Sequence, residues 1–290
     1  MDPSSAGRAA RALELLHSVV YFAPDIASEL AALGVDGPAA QYFGGRSAPL
    51  GAVGPGVVTA TFYSFSPRLV ASAVPAVWET AEPAAIIAAR LRALDALHRR
   101  VLGQDVLGSA EMNEAADLAA TAARAIPGPD GRPLYAAHAD LPWPEVAHLR
   151  LWHALTLLRE YRGDGHVAAL QTAGLSGLDA LVTHTATGTG YATDPARKLQ
   201  GWSRDEWADA EEELRGRGLL DKRGELTGEG FEVRELVEDL TDDLAVAPWI
   251  ALGDEGVERL LDLALPWRDA FVDAEVFPAG LFGPRYGDAR

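Results

Sequence analysis

Apolar residues recur every three or four positions along most of the chain, which is the spacing of helices with a buried face. The pattern is clearest in segments 6–22, 82–103, 109–125, 145–161 and 230–245. Signals for β-strands are few, and the best is a short hairpin near residues 219–228 that turns at Arg223 and Gly224. The pattern therefore predicts a mainly α fold with one small β-hairpin.

The distribution of proline and glycine predicts how the chain is divided. Residues 125–144 are rich in both, which is typical of a segment that joins two structural units. We therefore expect an N-terminal helical unit over 1–104, a helix and Pro/Gly-rich linker over 105–144, and a C-terminal unit over 145–290.

The two halves of the chain are weakly similar to each other. Four positions of the first half, Tyr21, Leu30, Gly34 and Asp36, align with Tyr161, Leu170, Gly174 and Ser176 of the second. Asp36 and Ser176 are predicted helix N-caps. Further on, Phe65 aligns with Trp202, each followed by a serine and a helix, whereas the first half lacks the hairpin. The alignment predicts a tandem repeat of one helical unit, packed through long helices, whose first copy has lost its wing.

Composition excludes several kinds of chemistry. The chain has 290 residues, a formal net charge of −17 and no cysteine, which excludes disulfides, thiolate metal sites and a cysteine nucleophile. No apolar run is long enough to cross a bilayer, and the N-terminus lacks the pattern of a signal peptide, so we expect a cytoplasmic protein without membrane contact. No residue spacing indicates a metal site, and the cofactor, if any, is unknown.

The segment "SRDEWADAEEELRGRGLLDKRGELTGEGFEVRELVEDL", residues 203–240, resembles the MarR-type winged-helix regulators. The matching positions are Ser203, Leu214, Gly218, Leu219, Leu220, Leu226, Thr227 and Gly230. The resemblance implies a recognition helix, a hairpin wing and a dimerisation helix, in that order. The whole chain also resembles a group of actinobacterial MarR-like helix-turn-helix proteins with no established activity.

The predicted recognition helix is acidic, which does not suit DNA. Trp207, Ala210 and Leu214 form its predicted inward stripe, while Asp205 and Asp209 project outward with their acidic neighbours. Between positions 203 and 243, fifteen Asp and Glu residues stand against six Lys and Arg residues. Carboxylates repel phosphate, so we expect DNA binding to be weak or absent. Two cations at the wing tip, Lys222 and Arg223, favour the opposite interpretation.

The strongest candidate chemistry lies on the helix "HLRLWHALTLLREYRGDGH", residues 148–166. His153, Thr156 and Glu160 share one face of it, where they would bind a polar ligand or transfer a proton. His166 is predicted to open the next helix as a neutral imidazole, after a tight turn at Asp164. The catalytic candidates are therefore His153, Glu160 and His166. The alternative for each is a purely structural role: a paired or solvated helix face for the first two, and a packed side chain for the third.

Ligand-binding candidates come from both halves. The six are His17, Tyr21, Arg46, Tyr63, Trp152 and Arg159. The resemblance places a pocket near the junction of the two halves, and such side chains would line it. Alternatively the aromatic residues are core and Arg46 pairs with a carboxylate.

Three functions remain open at this stage. The preferred hypothesis is a winged-helix scaffold that has lost DNA reading and handles a small molecule, by binding it or as an acid–base enzyme of specialised metabolism. The second is a MarR-type ligand-responsive regulator, and the third is a protein-interaction module with an acidic face. An internal repeat would let the protein be a monomer, although a homodimer is also open.

Overall fold

The computed structural model describes residues 1–286 and is almost entirely helical, which confirms the mainly α prediction. The first half contains α1 Pro3–Ser18, α2 Pro24–Ala31, α3 Pro38–Ser47, α4 Pro55–Phe62, α5 Pro67–Ala71, α6 Ala76–Thr80 and α7 Pro83–Val101, with 3₁₀ turns at Val19–Tyr21 and Ala48–Leu50. The middle contains α8 Gly103–Leu107, α9 Ala110–Arg124 and α10 Pro133–Ala139. The second half contains α11 Ala147–Thr172, α12 Gly177–Thr187, α13 Thr193–Leu199, α14 Arg204–Gly216, α15 Gly228–Ala245, α16 Ala247–Leu252 and α17 Asp254–Asp273. Over residues 1–286, none of these helices has both the length and the apolar character that a bilayer crossing requires.

The central element is α11, which packs against α1, α7, α9, α10 and α15. It is buried on most of its circumference, as its apolar residues on every face predict. Around it the apolar side chains form three clusters. One lies under α1, α9 and α17, one lies within α2 to α7, and one lies between the end of α11 and α15.

The prediction of a turn at residues 161–166 is wrong, because this segment lies inside α11. Gly165 makes room for the Arg132 guanidinium, which would have to shift to accommodate a Cβ at this position. Asp164 does cap a helix, but it caps α10, where its Oδ2 accepts hydrogen bonds from the backbone N–H of Leu134 (3.0 Å) and Tyr135 (2.9 Å).

The two halves share one local structure. Gly34 and Gly174 each adopt a positive φ, +81° and +67°, just after a helix. In both places the next residue donates its N–H to the carbonyl of the aligned leucine, Leu30 or Leu170, at 3.0 Å. A helix that ends in a residue with positive φ favours glycine at that position, because glycine lacks a Cβ. It supports the repeat at this position, while a repeat over the full halves stays a prediction.

Beyond that terminus the two halves differ. Ser176 caps α12 with a reciprocal capping box, as predicted. The prediction for Asp36 is wrong, because α3 begins at Pro38 and Gly37 is the residue that precedes it. Proline supplies the helical φ at the start of α3 without any side-chain cap.

The predicted recognition helix is α14, and its inward stripe is confirmed: Trp207, Ala210 and Leu214 are buried. Ser203 caps it with a second capping box. The predicted hairpin wing is present only as one antiparallel bridge between Leu220 and Leu226 within the described residues. Asp221 closes the turn by accepting hydrogen bonds from two backbone N–H groups at 2.7 and 3.0 Å.

Candidate functional site

A cavity of about 550 Å³ lies between the two halves. The first half lines it from α3, α4 and the loop that follows α4, and the second half lines it from α11, α12 and α13. Of the sequence-predicted residues, the structure brings six to this cavity: Tyr21, Arg46, Tyr63, Arg159, Glu160 and His166. The other three, His17, Trp152 and His153, do not line it.

Aromatic rings form the wall contributed by the first half. Tyr42 contacts Phe65 with ring centroids 5.2 Å apart, and Phe43 meets Phe62 edge-on at 6.0 Å. Tyr21 meets Tyr42 edge-on at 5.6 Å. Sequence reasoning missed Tyr42, although it lies four residues before Arg46 and therefore on the same helix face.

Glu160 is the centre of a buried ion cluster on the floor of the cavity. Its carboxylate lies 3.1 Å from Nη2 of Arg46 and 2.7 Å from Nη1 of Arg159, and the Glu160 side chain is only 1% exposed. Arg159 also reaches Glu14, at 3.6 Å. Nη1 of Arg46 donates to the Tyr42 hydroxyl at 2.9 Å. Arg46 therefore both lines the cavity and pairs with a carboxylate, so its two sequence interpretations hold together.

His166 presents one defined tautomer at the other end of the cavity. The Thr241 hydroxyl donates to the Val237 carbonyl at 2.6 Å, so it accepts from Nδ1 of His166 at 2.9 Å. The proton therefore sits on Nδ1, and Nε2 is the hydrogen-bond acceptor. Burial lowers the pKa of His166 to about 3, which keeps the ring neutral. Neutrality was predicted from a helix N-terminus, but His166 lies inside α11, and desolvation is the first cause of its lowered pKa.

His17 and Trp152 support the aromatic wall from behind. Nε2 of His17 lies 3.3 Å from the Tyr21 hydroxyl, and the imidazole stacks on Trp152 with centroids 5.6 Å apart. The indole Nε1 of Trp152 donates to the His17 carbonyl at 3.0 Å. These two residues hold Tyr21 in place without reaching the cavity.

His153 lies apart from Glu160, so the predicted coupled pair is not formed. The imidazole packs edge-on against Trp143, with ring centroids 4.8 Å apart. Burial, and then the positive charge of Arg90, lower the pKa of His153 to about 4. Seven residues along a helix separate the two side chains by roughly 10 Å, too far for a direct proton transfer.

Tyr63 lies at the rim, where the halves meet. Its hydroxyl donates to the Leu175 carbonyl at 2.6 Å. Nearby, Nε1 of Trp202 donates to the Ser64 carbonyl at 2.8 Å, and the Ser66 N–H donates to the Gln200 carbonyl at 2.8 Å. These bonds join the segment before α5 to the segment before α14 and close one side of the cavity.

The outer face of α14 carries exposed carboxylates. Asp205, Asp209, Glu212 and Glu213 are all exposed. Of the two cations on this helix, Arg204 is exposed, and Arg215 lies 3.1 Å from Glu211 and 2.7 Å from Glu212. The surface that would meet a DNA groove therefore keeps a strong negative charge.

Comparison with known proteins adds one finding. A family model described as a helix-turn-helix family matches residues 6–278. No curated protein and no solved structure matches the chain.

Proposed function

Since the chain belongs to the helix-turn-helix family, we propose that it uses this scaffold to bind a small molecule between its halves rather than to read DNA. The observation that carries the proposal is the cavity of about 550 Å³ with aromatic walls and a few fixed polar groups. Ligand pockets in proteins have this size and this mixture of apolar walls and sparse polar groups. The proposal includes the resemblance to MarR-type and actinobacterial proteins, which the match to the family model does not cover.

The polar groups indicate what the ligand offers. Tyr21, Tyr42 and Phe62 provide flat apolar surface, which suits a ring system. The ion cluster at Glu160 and the acceptor Nε2 of His166 lie six residues apart on α11, about 9 Å along the helix axis. We propose an elongated, largely apolar ligand that carries polar groups near both ends.

Binding is a better proposal than acid–base catalysis. Glu160 is held by two guanidiniums, so its oxygens already accept charge-assisted hydrogen bonds. His153 lies outside the cavity, and burial makes His166 a weak base. The groups that line the cavity are better suited to orienting the hydrogen-bonding groups of a ligand.

A neutral fluorescent probe, N-phenyl-1-naphthylamine, tests the site. Gly163 faces the cavity, and a Cβ there would have only ordinary contacts, the nearest being 3.6 Å from Glu160 Oε2. We expect Gly163→Leu to fill the cavity and weaken probe binding at least tenfold.

The matched control is Gly216→Leu at the exposed end of α14, where a Cβ would meet no described atom within 4 Å. It should bind the probe like the native protein. Equal affinity for both variants, with both folded by circular dichroism, would show that the probe does not use this cavity.

The second candidate is a transcriptional regulator, favoured by the family and by the exposed Lys222 and Arg223 at the wing tip. Each phosphate contact must overcome the repulsion of the α14 carboxylates. A gel shift at low salt with the protein's own promoter and with random duplex separates the two functions. We expect no specific complex, and a specific complex at nanomolar protein would replace our proposal with the regulator. A triple variant with Asp205, Asp209 and Glu212 replaced by lysine is the positive control, which should bind both duplexes.

A further inference from the structure

A second, smaller cavity of about 240 Å³ lies beside the first. The two cavities share Tyr21, Phe22, Pro38 and Tyr42, so these side chains form the wall between them. We call the smaller one the side chamber. Its other walls are mainly apolar and come from the start of α2, from α3 and from the turn before α2.

Arg90 of α7 lies at the buried side of this chamber and is only 2% exposed. Its Nη1 donates to the Gly45 carbonyl at 2.9 Å and lies 3.5 Å from Nε2 of His138. Its Nε is buried and has no hydrogen-bond partner in the described chain. The guanidinium also lies over the Trp152 ring, 5.2 Å from its centroid.

None of these partners cancels the charge of Arg90. Nδ1 of His138 lies 2.9 Å from the Leu134 carbonyl, so it carries the proton and its Nε2 faces the guanidinium as a neutral acceptor. Burial, followed by the Arg90 charge, lowers the pKa of His138 to about 4, consistent with a neutral ring. Within residues 1–286, no carboxylate lies at ion-pair distance from Arg90, and Glu160 attracts the guanidinium only from farther away.

The arginines of the main cavity are different. Arg46 and Arg159 share Glu160, and Arg159 also reaches Glu14, so two cations face two carboxylates. A buried charge without an adjacent counter-charge is unfavourable, and an anion entering the site would recover much of that free energy. The demand for an anion is therefore greatest at Arg90.

We propose that the side chamber is an anion site that holds the carboxylate of a small apolar acid against the Arg90 guanidinium. The lining includes Val20, Ala23 and Ile26, which suit an apolar body, and the amide of Gln41 already donates to the Ala27 and Val35 carbonyls. A phosphate would need several donors to replace its water, whereas a carboxylate is satisfied by one guanidinium fork. Binding in the side chamber does not require a ligand in the main cavity, so the two proposals are independent.

Benzoate and its neutral analogue benzamide test the site by calorimetry. We expect the native protein to prefer benzoate. Arg90→Met should weaken benzoate binding at least tenfold and leave benzamide binding unchanged. The matched control is Arg92→Met on the same helix, whose side chain is 54% exposed and pairs with Glu29. It should keep native benzoate affinity, and an equal loss in both variants would overturn the proposal.

A second measurement does not depend on Arg90→Met folding. In crystals of the native protein soaked with 4-bromobenzoate, the anomalous signal of bromine should lie in the side chamber, with the carboxylate on Arg90. A signal in the main cavity, or none, would contradict the proposal. Binding of the neutral naphthylamine probe is independent of Arg90, so failure of this site and failure of the proposed function are distinguishable.

Discussion

The two halves end corresponding helices alike but begin the following ones by different chemistry. Gly34 and Gly174 close α2 and α11 with the same hydrogen bond from the next residue to a leucine carbonyl. In the first half, the later helices α3, α4, α5 and α7 begin with proline. In the second half, α12, α14 and α15 begin with side-chain caps from Ser176, Ser203 and Thr227. Proline fixes one backbone angle, whereas a cap satisfies an N–H group that would otherwise lack a partner.

The halves also place charge differently. The first half directs cations inward, with Arg46 and Arg90 both buried. The second half directs carboxylates outward on α14, and it buries Arg234 together with the carboxylates of Glu160, Asp164, Asp179 and Asp242. Water screens the outer charges and leaves the inner ones strong. The same type of side chain therefore interacts with water outside and with buried counter-charges inside.

The largest effect should come from breaking the ion cluster that joins the halves. Glu160→Ala leaves two guanidiniums, Arg46 and Arg159, without their shared carboxylate. We expect a loss of about 3–5 kcal/mol in the free energy of unfolding, because a buried charge loses its partner. Glu212→Ala on the exposed face of α14 should change it by less than about 0.5 kcal/mol. Urea denaturation measures both, and similar values for the two variants would erase the contrast between inside and outside.

The next effect concerns pH. Burial, with the charge of Arg159 next, lowers the pKa of His17 to about 3 from an ordinary value of 6.5. A depressed histidine pKa means that the unfolded chain binds the proton more tightly, so stability is complete above pH 6.5 and falls as the pH drops toward 3. At pH 5 this histidine should cost about 2 kcal/mol relative to pH 8. His17→Phe should reduce the difference in unfolding free energy between the two pH values by that amount. An unchanged difference would show that His17 titrates normally.

The smallest effect tests the two ways of starting a helix. The Ser203 hydroxyl accepts a hydrogen bond from the Glu206 N–H, and the Ser203 N–H donates one to the Glu206 carboxylate. We expect Ser203→Ala to cost about 1 kcal/mol. Ser66 holds the aligned position before α5, but its hydroxyl makes no capping bond to the described chain, and Pro67 begins the helix. Ser66→Ala should therefore cost less than Ser203→Ala, as measured by thermal unfolding. Equal losses would mean that the first half is capped after all.

Much of the candidate site followed from helical spacing. The inward stripe of α14 was predictable because its three apolar residues recur at three and four positions. Glu160 and Arg159 were found because charged residues on a largely apolar helix must meet something polar. Arg90 was not predicted as a site residue, because the sequence around it is that of an ordinary helix with several arginines. The groups around the Arg90 guanidinium come from α3 and α10 as well as α7, and only the tertiary structure brings these helices together.

The sequence by itself determined the helical class, the acidic outer face of α14 and the caps at Ser176 and Ser203, because each depends on residues a few positions apart. Tertiary structure decided which faces met. His153 and Glu160 lie on the same side of α11, yet Trp143 covers the first and the cavity opens at the second. It also placed the Arg132 guanidinium against Gly165 inside α11, where a Cβ would otherwise stand. Such contacts join residues tens of positions apart, and local spacing carries no information about them.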